Sequence, residues 1–309
     1  MMNSIISVNN LTKKYNDTIV VDNISFDVEK GALFSFLGTN GAGKSTTINI
    51  ICTVLNASSG ETYVDGLNVK TEKNKIRREI GIVYQQNVLD DLLTVSENLK
   101  FRASLYGIKG RKFDKRLNEL ANKLNFKKYL NQNFITLSGG QKRRVEIARA
   151  IFHNPKILLL DEPTTGLDPK SRKRVWEIIW ELKKNLGMTI FLTTHYLEEA
   201  KNSDLIMVLN NGKIIAKGSS LELKNQYSCD KFLIYPQNNV KDNLINSLVK
   251  SNIKFEEFED HVIIQNPSID EVSKELKKNS DLIDSFEFQK GSLDDAFLNI
   301  LKRSEEELH

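Results

Sequence analysis

Eight consecutive residues, Gly38, Thr39, Asn40, Gly41, Ala42, Gly43, Lys44 and Ser45, fit the pattern G-x-x-x-x-G-K-[ST]. Glycines here let a loop wrap closely around a polyphosphate while its backbone N–H groups turn inward. A helix that follows presents the partial positive charge of its N-terminus to the same phosphates. Lys44 would reach the β- and γ-phosphates, and the Ser45 hydroxyl would ligate Mg²⁺. Thr46 adds a second hydroxyl. Further along, Ile157, Leu158, Leu159 and Leu160 run into Asp161 and Glu162. Carboxylates at the C-terminal end of a buried parallel strand face the ligand crevice. Asp161 would hold Mg²⁺ directly or through water, and Glu162 would polarise an attacking water. By itself, Asp-Glu after a strand is more often a helix-capping turn; downstream of a phosphate loop the catalytic reading prevails.

A third group lies between these two. Leu137, Ser138, Gly139, Gly140 and Gln141 open a helix over 141–152, with Ser138 as its cap, and so offer a second helix N-terminus suited to an anion. An ordinary serine cap would need no further explanation. The pentapeptide, however, arises by chance in only about one in several thousand chains of this composition, and it sits just upstream of the Asp-Glu strand.

Regular elements must hold these groups. Short apolar runs at 5–8, 19–28 and 32–37 read as strands, the second containing a turn around Asp22 and Asn23. The phosphate loop follows the third directly, and 44–55 has helical length without Gly or Pro. The runs 157–160 and 189–192 are continuous, as strands buried on both faces of a parallel sheet must be. Between them Val175, Ile178, Ile179 and Leu182 recur at helical spacing over 170–186, giving a βαβ unit. From 87 to 134 the pattern is mostly helical, clearest at 97–106 and 112–124, so a helical subdomain over about 87–150 interrupts the alternation. Asn210 to Gly212 joins 205–209 to 213–216 as a hairpin. Beyond Gly218 the order is strand 231–235, helix 240–250, strands 253–258 and 262–265, helix 269–278, strand 283–288 and helix 293–301. That is a split-βαβ, ferredoxin-like pattern with one helix added. The expected fold is α/β, a cassette over residues 1–220 with a parallel-sheet core, an antiparallel β subdomain and the helical subdomain. A small α+β domain follows over 221–309.

Of the 309 residues, 40% are hydrophobic and 27% charged, which excludes wholesale disorder and fibrous folds. No apolar run approaches the roughly 20 residues of a membrane span. The opening residues 1–7 have neither a basic flank nor a long apolar stretch, so they do not read as a secretory signal. Cys52 and Cys229 have no metal-type spacing, which suits a reducing compartment. The net charge of +4 is unevenly shared. Residues 221–309 hold 11 Lys/Arg and 18 Asp/Glu, a net −7, and residues 1–220 hold the other 33 and 22, a net +11. A basic first part suits nucleic acid, anionic lipid or a polyphosphate. The motifs select the polyphosphate, and no nucleic-acid partner is expected.

With every motif present once and in order, the first 220 residues resemble the nucleotide-binding subunits of ATP-binding cassette (ABC) transporters. The resemblance covers about residues 4–220. Tyr15 falls where that family stacks an aromatic on adenine, and residues 38–46 match its Walker A loop. Gln85 matches the Q-loop, 137–141 the signature, Asp161 and Glu162 Walker B, Gly166, Leu167 and Asp168 the D-loop, and His195 the switch histidine. The resemblance implies that ATP and Mg²⁺ bind, with Ser45, Gln85 and Asp161 at the metal. Lys44, Gln85, Glu162 and His195 would act in hydrolysis: Lys44 on the phosphates, Glu162 as base, His195 on the γ-phosphate, and Gln85 touching Mg²⁺ or the water.

It also implies a head-to-tail pair of cassettes. Ser138, Gly139, Gly140 and Gln141 of one chain, with Asp168 of its D-loop, would close on the nucleotide held by the other. With all catalytic residues present in this chain, a homodimer is the simpler arrangement. A separate transmembrane permease is implied, its groove near Gln85 and the apolar residues of 88–93 and 99–106, with the cassette peripheral on the cytoplasmic face of the membrane. The segments 85–107, 193–200 and 292–298 resemble subunits of the drug- and antibiotic-exporting type, and so favour export. The acidic C-terminal domain carries no catalytic group; it reads as a small packed domain or as a dimer-stabilising or regulatory appendage, with dimer contact the favoured role. The rival reading is a non-transport cassette ATPase, for example in iron–sulfur assembly, which leaves the C-terminal domain without a purpose. A GTPase or kinase shares only the phosphate loop, lacks the Asn-Lys-x-Asp guanine motif and leaves 137–141 unexplained.

Overall fold

A computed structural model describes residues 4–306; the first three residues of the opening segment and the last three of the C-terminal domain lie outside the described residues. The chain divides into two compact units, residues 1–219 and 220–309.

In the first unit, β1 (Ser4–Tyr15) and β2 (Thr18–Glu29) form a long antiparallel hairpin. The turn expected at Asp22 and Asn23 is instead a bulge inside one continuous strand. Asn23 and its cross-strand neighbour Asn10 both have positive φ (51° and 49°), and their amides bond to each other at 3.0 Å. Asparagine tolerates the left-handed region, so the strand absorbs the irregularity without reversing. β3 (Leu33–Gly38) delivers the phosphate loop to α1 (Lys44–Ile51). That helix is shorter than the expected 44–55 because Thr53 turns left-handed (φ 64°) and the N–H groups of Val54 and Leu55 both return to Asn49 O. β4 (Ser59–Val64) and β5 (Leu67–Asn68) complete a four-stranded sheet in the order β2-β1-β4-β5.

Next, α2 (Lys73–Glu79) leads into β6 (Ile80–Val83), two elements with no clear periodicity in the sequence. The helical subdomain contributes α3 (Val95–Ser104), α4 (Arg111–Lys123) and α5 (Gly139–Ile151). Thr94 and Glu97 form a reciprocal capping box at the start of α3. β7 (Ile157–Asp161), α6 (Pro169–Leu186), β8 (Thr189–Thr194) and the short α7 (Leu197–Ala200) follow. α6 starts on an Asp168 cap with Pro169 in its first turn and stops at left-handed Gly187, as a helix bounded by those residues should. β9 (Leu205–Asn210) and β10 (Lys213–Gly218) form the expected hairpin, whose turn residues Asn211 and Gly212 both take positive φ.

The central sheet runs β10-β9-β3-β8-β7-β6, with β9 to β6 parallel and β10 antiparallel at the edge. Its central strands β3, β7 and β8 are buried on both faces. Leu158, Leu160, Ile190 and Leu192 face a core shared with α3 to α6, whereas Ile157, Leu159 and Phe191 face the antiparallel sheet. On the latter side the rings of Phe26, Phe34, Phe36 and Phe191 pack with centroids 4.7–6.1 Å apart. Both cores clamp the C-terminal ends of β3, β7 and β8, where the candidate residues emerge.

The second unit contains α8 (Ser220–Tyr227), β11 (Lys231–Pro236), α9 (Lys241–Lys250), β12 (Phe255–Glu257), β13 (Val262–Gln265), α10 (Ile269–Lys278), β14 (Ile283–Gln289) and α11 (Leu293–Glu306). Its sheet order is β12-β13-β11-β14 and every pairing is antiparallel, so β13 sits between the two strands joined through α9. Phe232, Ile234, Val262 and Ile264 pack on Leu244 and Leu248 of α9.

Candidate active site

The phosphate loop bends through two left-handed glycines, Gly41 (φ 83°) and Gly43 (φ 102°). Gly43 is doubly required, since a Cβ there would lie 2.7 Å from the Val20 carbonyl of β2. Ala42 is buried, its N–H reaching Thr39 O and its carbonyl accepting from Gly212 N, while Thr39 and Asn40 stay exposed and Thr46 is half-buried. Lys44 is only 4% exposed, and its ammonium donates to the carbonyls of Gly38 (2.8 Å) and Thr39 (3.0 Å). Burial pulls its pKa below the usual lysine range, partly offset by the negative charges of Glu162 and Asp161. Ser45 Oγ donates to Asp161 Oδ1 at 3.0 Å, and Thr193 Oγ1, one strand over, donates to the same oxygen at 2.6 Å.

Glu162 is the hub. Its carboxylate stands 3.7 Å from Lys44 Nζ and 3.3 Å from His195 Nδ1, and it accepts from Gln85 Nε2 at 3.1 Å and Thr165 Oγ1 at 3.2 Å. Its backbone is left-handed (φ 46°), a conformation a glutamate adopts only under constraint. The constraint is visible: its N–H donates to both the carbonyl and the hydroxyl of Thr193 at 3.1 Å. The His195 contact lies outside hydrogen-bond geometry, which leaves Nδ1 buried, unpartnered and close to the carboxylate. The His195 ring packs against Tyr196, with centroids 4.0 Å apart.

Lys44, Ser45, Gln85, Asp161, Glu162 and His195 therefore converge. Other expected residues stand elsewhere. Tyr15 is 43% exposed at the hairpin tip, with Lys13 Nζ 4.9 Å above its ring. Ser138 and Gln141 form a capping box on α5, and a Cβ on Gly140 would strike Ser171 at 2.3 Å. Asp168 caps α6 by accepting from Ser171 N at 3.0 Å, bonds that hold its carboxyl below the ordinary range. Among the described residues no hydrogen bond or ion pair joins 138–141 or Asp168 to the phosphate loop.

A polar stripe on α5 has no counterpart in the motif reading. Arg143 donates to the carbonyls of Tyr84 (2.6 Å) and Gln85 (2.9 Å). Glu146 accepts from the N–H groups of Val88 (2.8 Å) and Leu89 (3.1 Å), and Arg149 donates to Glu146 and to Ile82 O. The i, i+3, i+6 spacing of these charges, set on the same helix side as the buried residues Ala150 and Ile147, is the one signal that could have found them, although Lys142 and Arg144 beside them blur it. Thr193 gave no signal at all, because its role follows from its pairing opposite Asp161.

Phosphate loop, paired carboxylates and histidine at neighbouring strand ends of one parallel sheet make this a P-loop nucleotide-binding domain. The family described as ABC transporter matches residues 21–165. The daunorubicin/doxorubicin resistance ATP-binding protein DrrA of Streptomyces peucetius is 40% identical over 221 residues, 71% of this chain and 67% of that protein. The probable multidrug ABC transporter ATP-binding protein YbhF of Escherichia coli (strain K12) is 36% identical over 228 residues, 74% of this chain; the chain spans only 39% of that relative's length. The ATP-binding cassette MJ0796, solved as a dimer in a post-hydrolysis state bound to ADP and Pi, superposes with a TM-score of 0.64 at 31% identity, covering 69% of this chain and 98% of that one. The chain belongs to the ABC transporter family, as an ATP-binding cassette.

Proposed function

We propose that this chain is the ATP-hydrolysing subunit of an ABC exporter of drugs, antibiotics or other small amphipathic compounds. The observation that carries the ATPase reading is Glu162, a buried carboxylate held between Lys44, Gln85 and His195 beside the phosphate loop. The exporter class rests on the relatives DrrA and YbhF, whose names assign them to drug resistance and multidrug transport.

The residues divide the work as follows. Backbone N–H groups of the loop and Lys44 hold the β- and γ-phosphates, and their fixed positions stabilise the charge that builds on the equatorial oxygens. Glu162 orients the attacking water and takes its proton as the bond from the γ-phosphorus to the β–γ bridging oxygen breaks. His195, close to Glu162 with an unpartnered nitrogen, contacts the γ-phosphate, and Gln85 fixes the carboxylate from the other side. Ser45 and Asp161 offer oxygen donors 3.0 Å apart, which suits a hard cation such as Mg²⁺, and Gln85, bonded to the adjacent Glu162, would join them at the metal. Among the described residues no three His, Cys, Asp or Glu side chains are placed to hold a metal ion by themselves, so phosphate and water oxygens would complete its shell. Bound there, Mg²⁺ would supply positive charge against the phosphates.

The separation of Ser138–Gln141 and Asp168 from the phosphate loop supports a site completed by a second copy of the chain, arranged head to tail with two-fold symmetry. No described helix is long and apolar enough to cross a membrane, so in this reading the cassette sits on the cytoplasmic membrane face against a separate permease. Leu92, Phe101 and Leu105 of the helical subdomain, each more than half exposed, are its docking candidates. Residues 220–309 act as an accessory dimer contact.

The test is the Glu162→Gln protein. Hydrolysis should fall by roughly 10²–10⁴-fold while Mg-ATP still binds, and its solution mass should shift from monomer to dimer with Mg-ATP. Ser138→Arg should abolish the shift. Hydrolysis near the wild-type rate would overturn the assignment of the base.

A further inference from the structure

Glu199, on the short helix α7 four residues past His195, is 3% exposed, and no basic side chain pairs with it among the described residues. A carboxylate buried in this way costs several kcal/mol unless hydrogen bonds compensate it. Its two oxygens are used separately. One accepts from the hydroxyl of Thr164, two residues beyond Glu162, and the other from the hydroxyl of Thr194, immediately before His195, at 2.6 Å. Thr164 and Thr194 are themselves fully buried. Thr194 Oγ1 also accepts from Tyr196 N at 2.9 Å, so the same hydroxyl shapes the backbone on both sides of the histidine.

We infer that Glu199 is a positioning residue: its carboxylate fastens the loop carrying the base to the strand end carrying the histidine, and so fixes Glu162 and His195 relative to each other. This rests on the ATPase reading above. The physical case is that Glu162 holds a left-handed backbone, which costs about 1–3 kcal/mol and persists only where its surroundings over-determine it. Thr193 restrains that backbone from the N-terminal side and Thr164 from the C-terminal side. Charge-assisted O–H···O⁻ bonds are about twice as strong as neutral ones, which is what a carboxylate offers here over an amide. Hydrophobic packing at the same position would fill the space but could not hold two hydroxyls on two different segments.

The experiment compares full-length wild type, Glu199→Gln, Thr194→Val and Thr164→Val, with Glu162→Gln alongside. Readouts are kcat, KM for Mg-ATP and melting temperature. Loss of the fastening should misplace the pair by a fraction of an ångström to an ångström, lowering kcat by about 10–100-fold with KM changed less than about twofold. Each valine variant keeps the shape of its threonine and should reproduce part of the loss should Glu199→Gln fold poorly. Combined with His195→Ala, Glu199→Gln should add little further loss, because it acts through the same pair. A kcat within about twofold of wild type in all three variants would overturn the inference, as would a kcat loss matched by the fraction unfolded or fully additive with His195→Ala. A slow Glu162→Gln beside a normal Glu199→Gln would sink this inference alone; an active Glu162→Gln would sink the reading beneath it.

Discussion

At the scale of single residues, Lys44 is the charge on which the phosphate loop turns. Its ammonium is already desolvated and bonded to two loop carbonyls, so under the proposed function little would have to be reorganised for a phosphate to take their place. Hydrogen bonds to charged groups contribute about 1.5–3 kcal/mol. Lys44→Met should therefore weaken ATP binding by about 10–100-fold in calorimetry, and should leave Glu162 without its cation. His153 gives a pH prediction away from the site. Burial, reinforced by the charges of Arg149 and Arg116, lowers its pKa from 6.5 to about 4, against a bond from the ring to Ile80 O. The unfolded chain takes up this proton near pH 6.5 and the folded chain only near pH 4, so the full contribution to stability exists above 6.5 and is lost as pH falls through that window. Between pH 7 and 5 the loss should be about 2 kcal/mol at most. Denaturant titrations should show it in wild type and not in His153→Phe, which keeps the stack on Tyr106. Cys52 is a matching probe of native packing: burial raises its thiol to about 12, so it should resist alkylation until the protein unfolds.

At the scale of elements, α5 does two jobs at once. Its N-terminus carries Ser138, Gly139 and Gly140, and its buried side grips the backbone of residues 82–89 through Arg143, Glu146 and Arg149. The segment bearing Gln85 is thus bound to the helix that begins at Ser138, and the two should move together as one body. Glu146→Ala would strand the buried N–H of Leu89 and the half-buried one of Val88 and take from Arg149 its carboxylate partner, a combination worth about 3–5 kcal/mol. A urea titration should show that loss, and hydrolysis should fall further than folding alone explains because Gln85 is freed. Asp168→Ala, by contrast, removes only an exposed helix cap and should lower the urea midpoint much less than Glu146→Ala. A larger loss confined to ATP-driven dimerisation would mark Asp168 as an interface residue as well.

At the scale of the whole molecule, the two compact units differ in chemistry as well as sequence. The first is basic and carries every converging site residue; the second is acidic and holds a separate core under α9. Removal of residues 220–309 should leave ATP binding by the first unit intact while weakening self-association, read as a higher protein concentration needed for the Glu162→Gln dimer. An unchanged dimer would remove the C-terminal unit from the assembly.

Much of this organisation was legible in the amino-acid order because it depends on local rules. A glycine loop before a helix, four apolar residues before Asp161, a serine cap three residues before Gln141 and an Asn-Gly hairpin all act within a few residues of themselves, so their spacing alone determined their form. What lay beyond the sequence depends on partners distant along the chain. The bulge at Asn10 and Asn23 needs two facing strands, the early end of α1 goes with a left-handed Thr53 to which Arg77 donates, and the unflagged strand β6 gains its place only by lying beside β7. The same holds for Thr193 opposite Asp161, for the α5 stripe on the backbone near Gln85, and for Glu199 between two hydroxyls. Each is a buried polar group whose partner the fold supplies from far along the chain, and tertiary structure alone decides which partner that is, because a buried donor or acceptor must be satisfied wherever the packed backbone brings one within reach.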